Sequence, residues 1–219
     1  FGRLLEIMFS EDSLKLPDGT VIKRARKWTA EYSVLMEKRK NLRIGIPRIL
    51  NVYSIGPMFS AYFEALGVPA ENLVYSDYTN EQMYKEGAKR GAIDPCFPSK
   101  VGIPHVHNML YVHHKKKPLD IIFCPMIDDL PTDLPYAQAH RACPTVTVTP
   151  EAVKAAFIKE GDMFKEAGIT FLNTFVNPLQ PTVFAKQLFD EFKDIFGLSW
   201  EERQRAVDAR YKAFDQCQS

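Results

Sequence analysis

Three of the four cysteines in this 219-residue chain sit beside proline. Cys96 lies in Ile93-Asp94-Pro95-Cys96-Phe97-Pro98-Ser99-Lys100, Cys124 in Phe123-Cys124-Pro125-Met126, and Cys143 in Arg141-Ala142-Cys143-Pro144. A proline fixes its own φ, lacks an N–H and pushes the preceding residue out of the helical region. Thiols on such stiff backbone suit ligation of a soft metal or an iron–sulfur centre. They equally suit plain burial, and the motif alone leaves both readings open. No Cys-x-x-Cys occurs, which excludes compact zinc ribbons and knuckles. Cys217 lies in a polar C-terminal stretch and reads as incidental.

Other residue types add less. His105, His107, His113 and His114 fall on or just past one expected helix and read as structural, the last two complementing its C-terminal dipole. His140, three residues before Cys143, is the histidine kept as a site neighbour. Asp128, Asp129 and Asp133 read as a solvated acidic loop. Arg48, in the β-rich run that opens the main domain, and Lys100, which ends the Cys96 segment, are the cations placed to meet an anionic ligand at the sheet's crevice. There is no Gly-x-Gly-x-x-Gly, no Walker A loop and no Gly-x-Ser-x-Gly elbow.

The elements that must position these groups alternate. A β-rich run at Arg43–Leu50 precedes a helix expected over Ile55–Leu66, and Val74–Ser76 reads as a second strand. Thr79 or Asn80 caps a helix through Lys89, and Gly102–His114 reads as another. Leu119–Cys124 is the continuous apolar run of a buried parallel strand. Thr145–Thr149, β-branched throughout, predicts a strand that starts just after Cys143, with Pro150-Glu151 opening a helix. Ile169–Val176 is the last expected strand. Pro181–Phe196 is a helix with Phe184, Leu188, Phe192 and Ile195 at core spacing, and Ser199 opens another running to about Asp215. The expected fold is α/β: a three-layer domain with a mostly parallel sheet over residues 42–180. An N-terminal connector precedes it over 1–41, where Gly2–Phe9 and the run from Trp28 read as helical and Pro17-Asp18-Gly19 as a turn. C-terminal helices over 181–219 pack on it or lead to a further domain.

The totals exclude several classes. The chain is 46% hydrophobic and 25% charged with a formal net charge of +1, so no basic excess argues for nucleic acid. No apolar run approaches the ~20 residues of a membrane span. Four cysteines at these spacings are not a secreted disulfide framework, which leaves a cytoplasmic setting as the expectation. A start at Phe1 rather than Met suggests a piece of a longer chain.

Four ordered segments carry a family resemblance: Arg43-Ile44-Gly45-Ile46-Pro47-Arg48-Ile49-Leu50, Asp94-Pro95-Cys96-Phe97-Pro98-Ser99-Lys100, Phe123-Cys124-Pro125-Met126-Ile127-Asp128 and Arg141-Ala142-Cys143-Pro144-Thr145-Val146. With the helices between them they span roughly Leu42 to Phe214. The chain resembles proteins related to the 2-hydroxyacyl-CoA dehydratases and their activators, in particular the uncharacterised domain of the long multidomain members. The resemblance implies a Rossmann-like domain and a [4Fe-4S] cluster at a cleft between such domains. It also implies a low-potential electron delivered by an ATP-driven partner. By position, Cys96 and Cys143 are the implied ligands, with Cys124 a third candidate. The partners implied are the other domains of the parent chain, an ATPase-type activator and a second Rossmann-like domain. The alternative is a structural module that docks those parts and holds no cluster.

Overall fold

A computed structural model describes residues 13–15, 21–23, 30–91, 96–130 and 141–218. The expectations for Gly2–Phe9, Pro17–Gly19, Trp28, Asp94, Asp133 and His140 lie outside them. The chain divides into two compact units, residues 1–38 and 39–219. In the first, β1 (Ser13–Lys15) pairs antiparallel with β2 (Val21–Lys23), and α1 (Ala30–Asn41) begins.

The larger unit is built on four parallel strands: β3 (Ile44–Ile46), β4 (Leu73–Tyr75), β5 (Ile121–Phe123) and β7 (Thr170–Leu172), in the order β4-β3-β5-β7. From β3 the chain passes through α2 (Val52–Ala65) to β4 on one side. It then returns through α3 (Glu81–Gly87), α4 (Phe97–Lys100) and α5 (Gly102–Asn108) to β5 on the other. A π-helical segment, Met109–His114, continues α5, and the link from β5 to β7 runs through β6 (Met126–Ile127), α6 (Pro144–Ile158) and α7 (Met163–Glu166). After β7 come β8 (Phe175–Val176), α8 (Pro181–Phe196) and α9 (Trp200–Gln218). This is a doubly wound, Rossmann-like α/β sheet whose direction reverses between β3 and β5.

Strand β5 shows why the sheet needs cover on both faces. Ile121 and Phe123 join one apolar cluster with Ile44, Ile46, Phe59, Phe63, Phe184, Leu188 and Phe192 from β3, α2 and α8. Ile122 and Cys124 join a second with Ile103, Val106, Met109, Val153 and Phe157 from α5, its π-helical continuation and α6. Successive strand residues point to opposite faces, so an unbroken apolar run requires helices above and below. The Phe123 ring meets Phe59 and Phe63 edge-on at 5.1 and 5.4 Å, the geometry aromatic quadrupoles favour. The aromatic stripe of α8 is core, as its spacing predicts.

Two expected strands are corrected. Thr145–Thr149 is the first half of α6. Pro144 occupies a first-turn position that needs no N–H. The Thr147 and Thr149 hydroxyls donate to the carbonyls of Cys143 and Thr145, four residues back, at 3.3 and 2.6 Å. The buried positions Thr149, Pro150, Val153 and Phe157 carry helical spacing through the run, and packing overrides the β-propensity of Thr and Val. Ile169–Val176 is two strands: β7 joins the main sheet, while β8 pairs in parallel with β6 in a separate two-stranded sheet. Other boundaries agree to within a few residues. Asn80 caps α3 by accepting from Met83 N–H at 2.9 Å, and Gly197 ends α8 in the left-handed conformation.

Candidate functional site

Open parallel sheets bind ligands beyond the carboxyl ends of their strands, where the winding reverses. Here that place lies between the segment after β3, Pro47–Asn51, and the segment after β5, Cys124–Pro125. Leu50 sits at φ 49°, left-handed backbone that costs a residue with a Cβ about 1–2 kcal/mol. Yet the crevice is nearly filled. Ile49, Leu50, Asn51, Cys124, Val146 and Pro150 surround a space of only about 10 Å³, too small for a ligand.

The three cysteines are therefore in unlike settings. Cys124 is 1% exposed, on the β5 face that joins the α5–α6 core. Burial pushes its thiol up to about 12, so it behaves as a small hydrophobe. Cys143 is exposed and stands at the N-cap of α6, not at the head of a strand. No cap hydrogen bond closes on its sulfur. The N–H groups of Thr145 and Val146 and the Thr145 hydroxyl nevertheless favour the anion and hold the thiol below its ordinary value. Cys96 is half-buried at the N-cap of α4 and donates to Ser99 Oγ at 3.1 Å. The Ser99 and Thr149 hydroxyls lie 2.9 Å apart, so Cys96 is coupled to α6 six residues beyond Cys143. Gly102 allows this approach, since a Cβ there would meet Val153 Cγ2 at 2.9 Å. Among the described residues no three His, Cys, Asp or Glu side chains gather where they could hold a metal ion, and Cys96, Cys124 and Cys143 make no such group.

The cation candidates also separate. Lys100 ends α4 and does not line the cavity that Arg48 lines. That cavity, about 540 Å³, opens beyond β3 and β4 and is walled by Arg48, Tyr53, Ser60, Glu64, Tyr75 and Tyr78, with Val52, Gly56, Pro57 and Ala61 beneath. The Arg48 guanidinium carbon lies 4.4 Å from the Tyr78 ring centre and 5.1 Å from that of Tyr75. Tyr75 OH donates to Gly56 O at 2.8 Å and lies 2.7 Å from Ser60 Oγ.

Behind this wall runs a hydrogen-bond chain. Arg48 N–H donates to Ser76 Oγ at 2.7 Å, and Ser76 Oγ lies 2.7 Å from His105 Nδ1. His105 Nε2 lies 2.9 Å from Thr79 Oγ1, which lies 3.2 Å from Tyr53 OH. Either neutral tautomer satisfies every contact around the ring, the protonated nitrogen donating to its hydroxyl and the other accepting from the second. Burial, aided by the nearby Arg48 charge, pushes His105 down to about 4, so the ring is neutral. His105 is structural, as read, but it braces a wall whose tyrosines carry no mark in the sequence. Of the other histidines, His113 Nε2 lies 3.3 Å from Asp77, His114 Nδ1 accepts from Leu119 N–H at 3.0 Å, and His107 stacks on Tyr111.

Fold and site together define a doubly wound α/β domain with a filled switch point, two cysteines at helix N-termini and a separate tyrosine-lined cavity. The family model described as CoA enzyme activase uncharacterised domain (DUF2229) matches residues 43–219, and the chain belongs to that family. The resemblance to activator-related proteins is thus borne out. No curated protein matches the chain, and no solved structure does. No helix among the described residues is long and apolar enough to cross a membrane.

Proposed function

We propose that this domain serves a CoA enzyme activase system as an accessory module, bringing Cys143 and Cys96 as two thiol ligands to a [4Fe-4S] cluster completed by another part of that system. The observation that carries this reading is Cys143: an exposed thiol at a helix N-terminus whose N–H groups favour the thiolate, the form that ligates iron. A cluster held wholly by this chain does not fit its described residues. Cys124 is sealed in the core and no three ligands converge. Bound at a shared edge, such a cluster would supply one-electron transfer, and the part of this chain is to present and orient two sulfurs. The partners in this reading are an ATPase-type activator and a second Rossmann-like domain, in a cytoplasmic setting.

A second reading, a docking module without a cluster, is favoured by the burial of Cys124, which makes one of three cysteines plainly structural. The experiment that separates them is anaerobic reconstitution with iron and sulfide, with and without the activase partner, followed by iron analysis and visible absorbance. The cluster reading expects iron only in the mixture, lost in Cys143→Ala and in Cys96→Ala but kept in Cys124→Ala. Partner binding that survives Cys96→Ala/Cys143→Ala with no iron in any sample establishes the docking module instead.

A further inference from the structure

The cavity beyond β3 and β4 is independent of the cysteines. It has the size of a small-molecule site, typically about 300–1,000 Å³, and the usual make-up of one, a largely apolar lining with a few convergent polar groups. Among the described residues its cation meets two tyrosine rings and no hydrogen-bond acceptor. Among the described residues the Arg48 guanidinium makes no ion pair and no hydrogen bond, and its Nε is shielded from water without a partner. Leaving a shielded, charged donor unmatched is costly unless a ligand supplies the acceptor.

We infer that this cavity is a binding site for a small molecule bearing one oxyanion on a flat apolar body, with Arg48 receiving the oxyanion and Tyr53 and Tyr78 receiving the body. The Tyr75 and Tyr78 rings supply no hydrogen-bond acceptor to the guanidinium, whose N–H groups can grip a carboxylate or phosphate with two parallel hydrogen bonds. Tyr53 and Tyr78 are 53% and 69% exposed, so their rings are open to a ligand. Glu64 lines the same cavity, which disfavours a second anionic group on the ligand. The site is fixed in advance. The Ser76–His105–Thr79 chain joins the Arg48 backbone to the Tyr53 hydroxyl, and Gly56 lets Tyr75 lie close enough to reach its carbonyl. Such bracing removes ordering costs from binding.

The test uses the full chain with four probes, phenyl phosphate, benzoate, inorganic phosphate and phenol, read by calorimetric titration and thermal shift. Phenyl phosphate or benzoate is expected to bind saturably and to raise the melting temperature, and the better of the two tells phosphate from carboxylate. Inorganic phosphate and phenol, each carrying half of the recognised chemistry, are expected to bind at least about tenfold more weakly, since phenol forfeits a charge-assisted contact and inorganic phosphate the burial of a ring, each worth about that much. Arg48→Lys keeps the charge but not the two-pronged edge, and is expected to lose about tenfold in affinity while melting like the parent. Tyr78→Ala is expected to weaken benzoate and phenyl phosphate but not inorganic phosphate. No binding of either two-part probe at millimolar concentration overturns the proposal, as does unchanged affinity in a folded Arg48→Lys. Neither result bears on iron binding by Cys96 and Cys143.

Discussion

A Cβ placed on Gly87 would lie 2.3 Å from the backbone Cα of Pro104. Helices α3 and α5 therefore touch main chain to main chain, at a separation that only glycine permits. Gly87→Ala should destabilise the domain by about 2 kcal/mol or more, in the range of overpacked cores, and lower its melting temperature by several degrees. The contact is with backbone as well as ring, so adding Pro104→Ala should not restore the loss. A melting temperature in Gly87→Ala equal to the parent's would show that the helices do not approach this closely.

Arg39 and Glu202 form a buried pair with two N–H···O contacts of 2.7 and 3.2 Å, and their side chains are only 1% and 8% exposed. Arg39 also donates to the carbonyls of Phe196 and Leu66. Glu202 also closes a capping box with Ser199, accepting its N–H at 3.0 Å while Ser199 Oγ accepts from Glu202 N–H at 3.3 Å. Glu202→Ala should cost about 3–5 kcal/mol in denaturant unfolding, because it removes the carboxylate that faces a buried cation. Ser199→Ala, which removes only the cap, should cost about 1 kcal/mol. Replacing both partners by Arg39→Met and Glu202→Leu should cost much less than the two single changes summed. Additive losses would mean the pair is not coupled.

His105 gives the domain a specific acid sensitivity. Its pKa is about 4 in the fold against about 6.5 when unfolded, so below pH 6.5 the unfolded chain binds the extra proton. The stability that His105 contributes is complete above pH 6.5 and is lost as pH falls toward 4, in total about 3 kcal/mol. His105→Gln should flatten the stability–pH curve across that window while lowering stability at pH 7. An unchanged slope would assign the acid sensitivity to other groups.

The thiols should differ in native alkylation. Iodoacetamide should modify Cys143 in the folded chain and leave Cys124 untouched until unfolding. The pH midpoint for Cys143 should lie below that of the same residue in guanidinium, since unfolding removes the Thr145 and Val146 N–H groups. Peptide mass spectrometry over a pH series reads both. Equal labelling of Cys124 and Cys143 in the native chain would contradict the burial on which the cysteine assignments rest.

The fold was legible where one period dominated. Leu119–Cys124 announces a strand covered on both faces, and Phe184, Leu188 and Phe192 announce a helix face. Thr145–Thr149 misleads because alternation and β-branching agree on the wrong answer, while the helical spacing of Val146, Thr149, Pro150, Val153 and Phe157 becomes visible only when the window extends past Pro150. The burial of Cys124 follows from the same alternation, since it shares a face with Ile122. Arg48 could be singled out because it is a cation in the run that opens the sheet. The tyrosines around it could not, because residues 53, 75 and 78 converge only through the winding of β3, α2 and β4.

The Arg39–Glu202 pair also bears on biosynthesis. Its members are 163 residues apart, and at about 5–20 residues per second a ribosome takes roughly 8–30 s to deliver the second after the first. Until then the Arg39 socket has none of its Phe196, Gly197 and Glu202 acceptors, and Phe59 and Phe63 lack the aromatic cover of α8. The nascent sheet must wait with α2 as the partial cover of that face, and the socket closes only when α8 and α9 arrive.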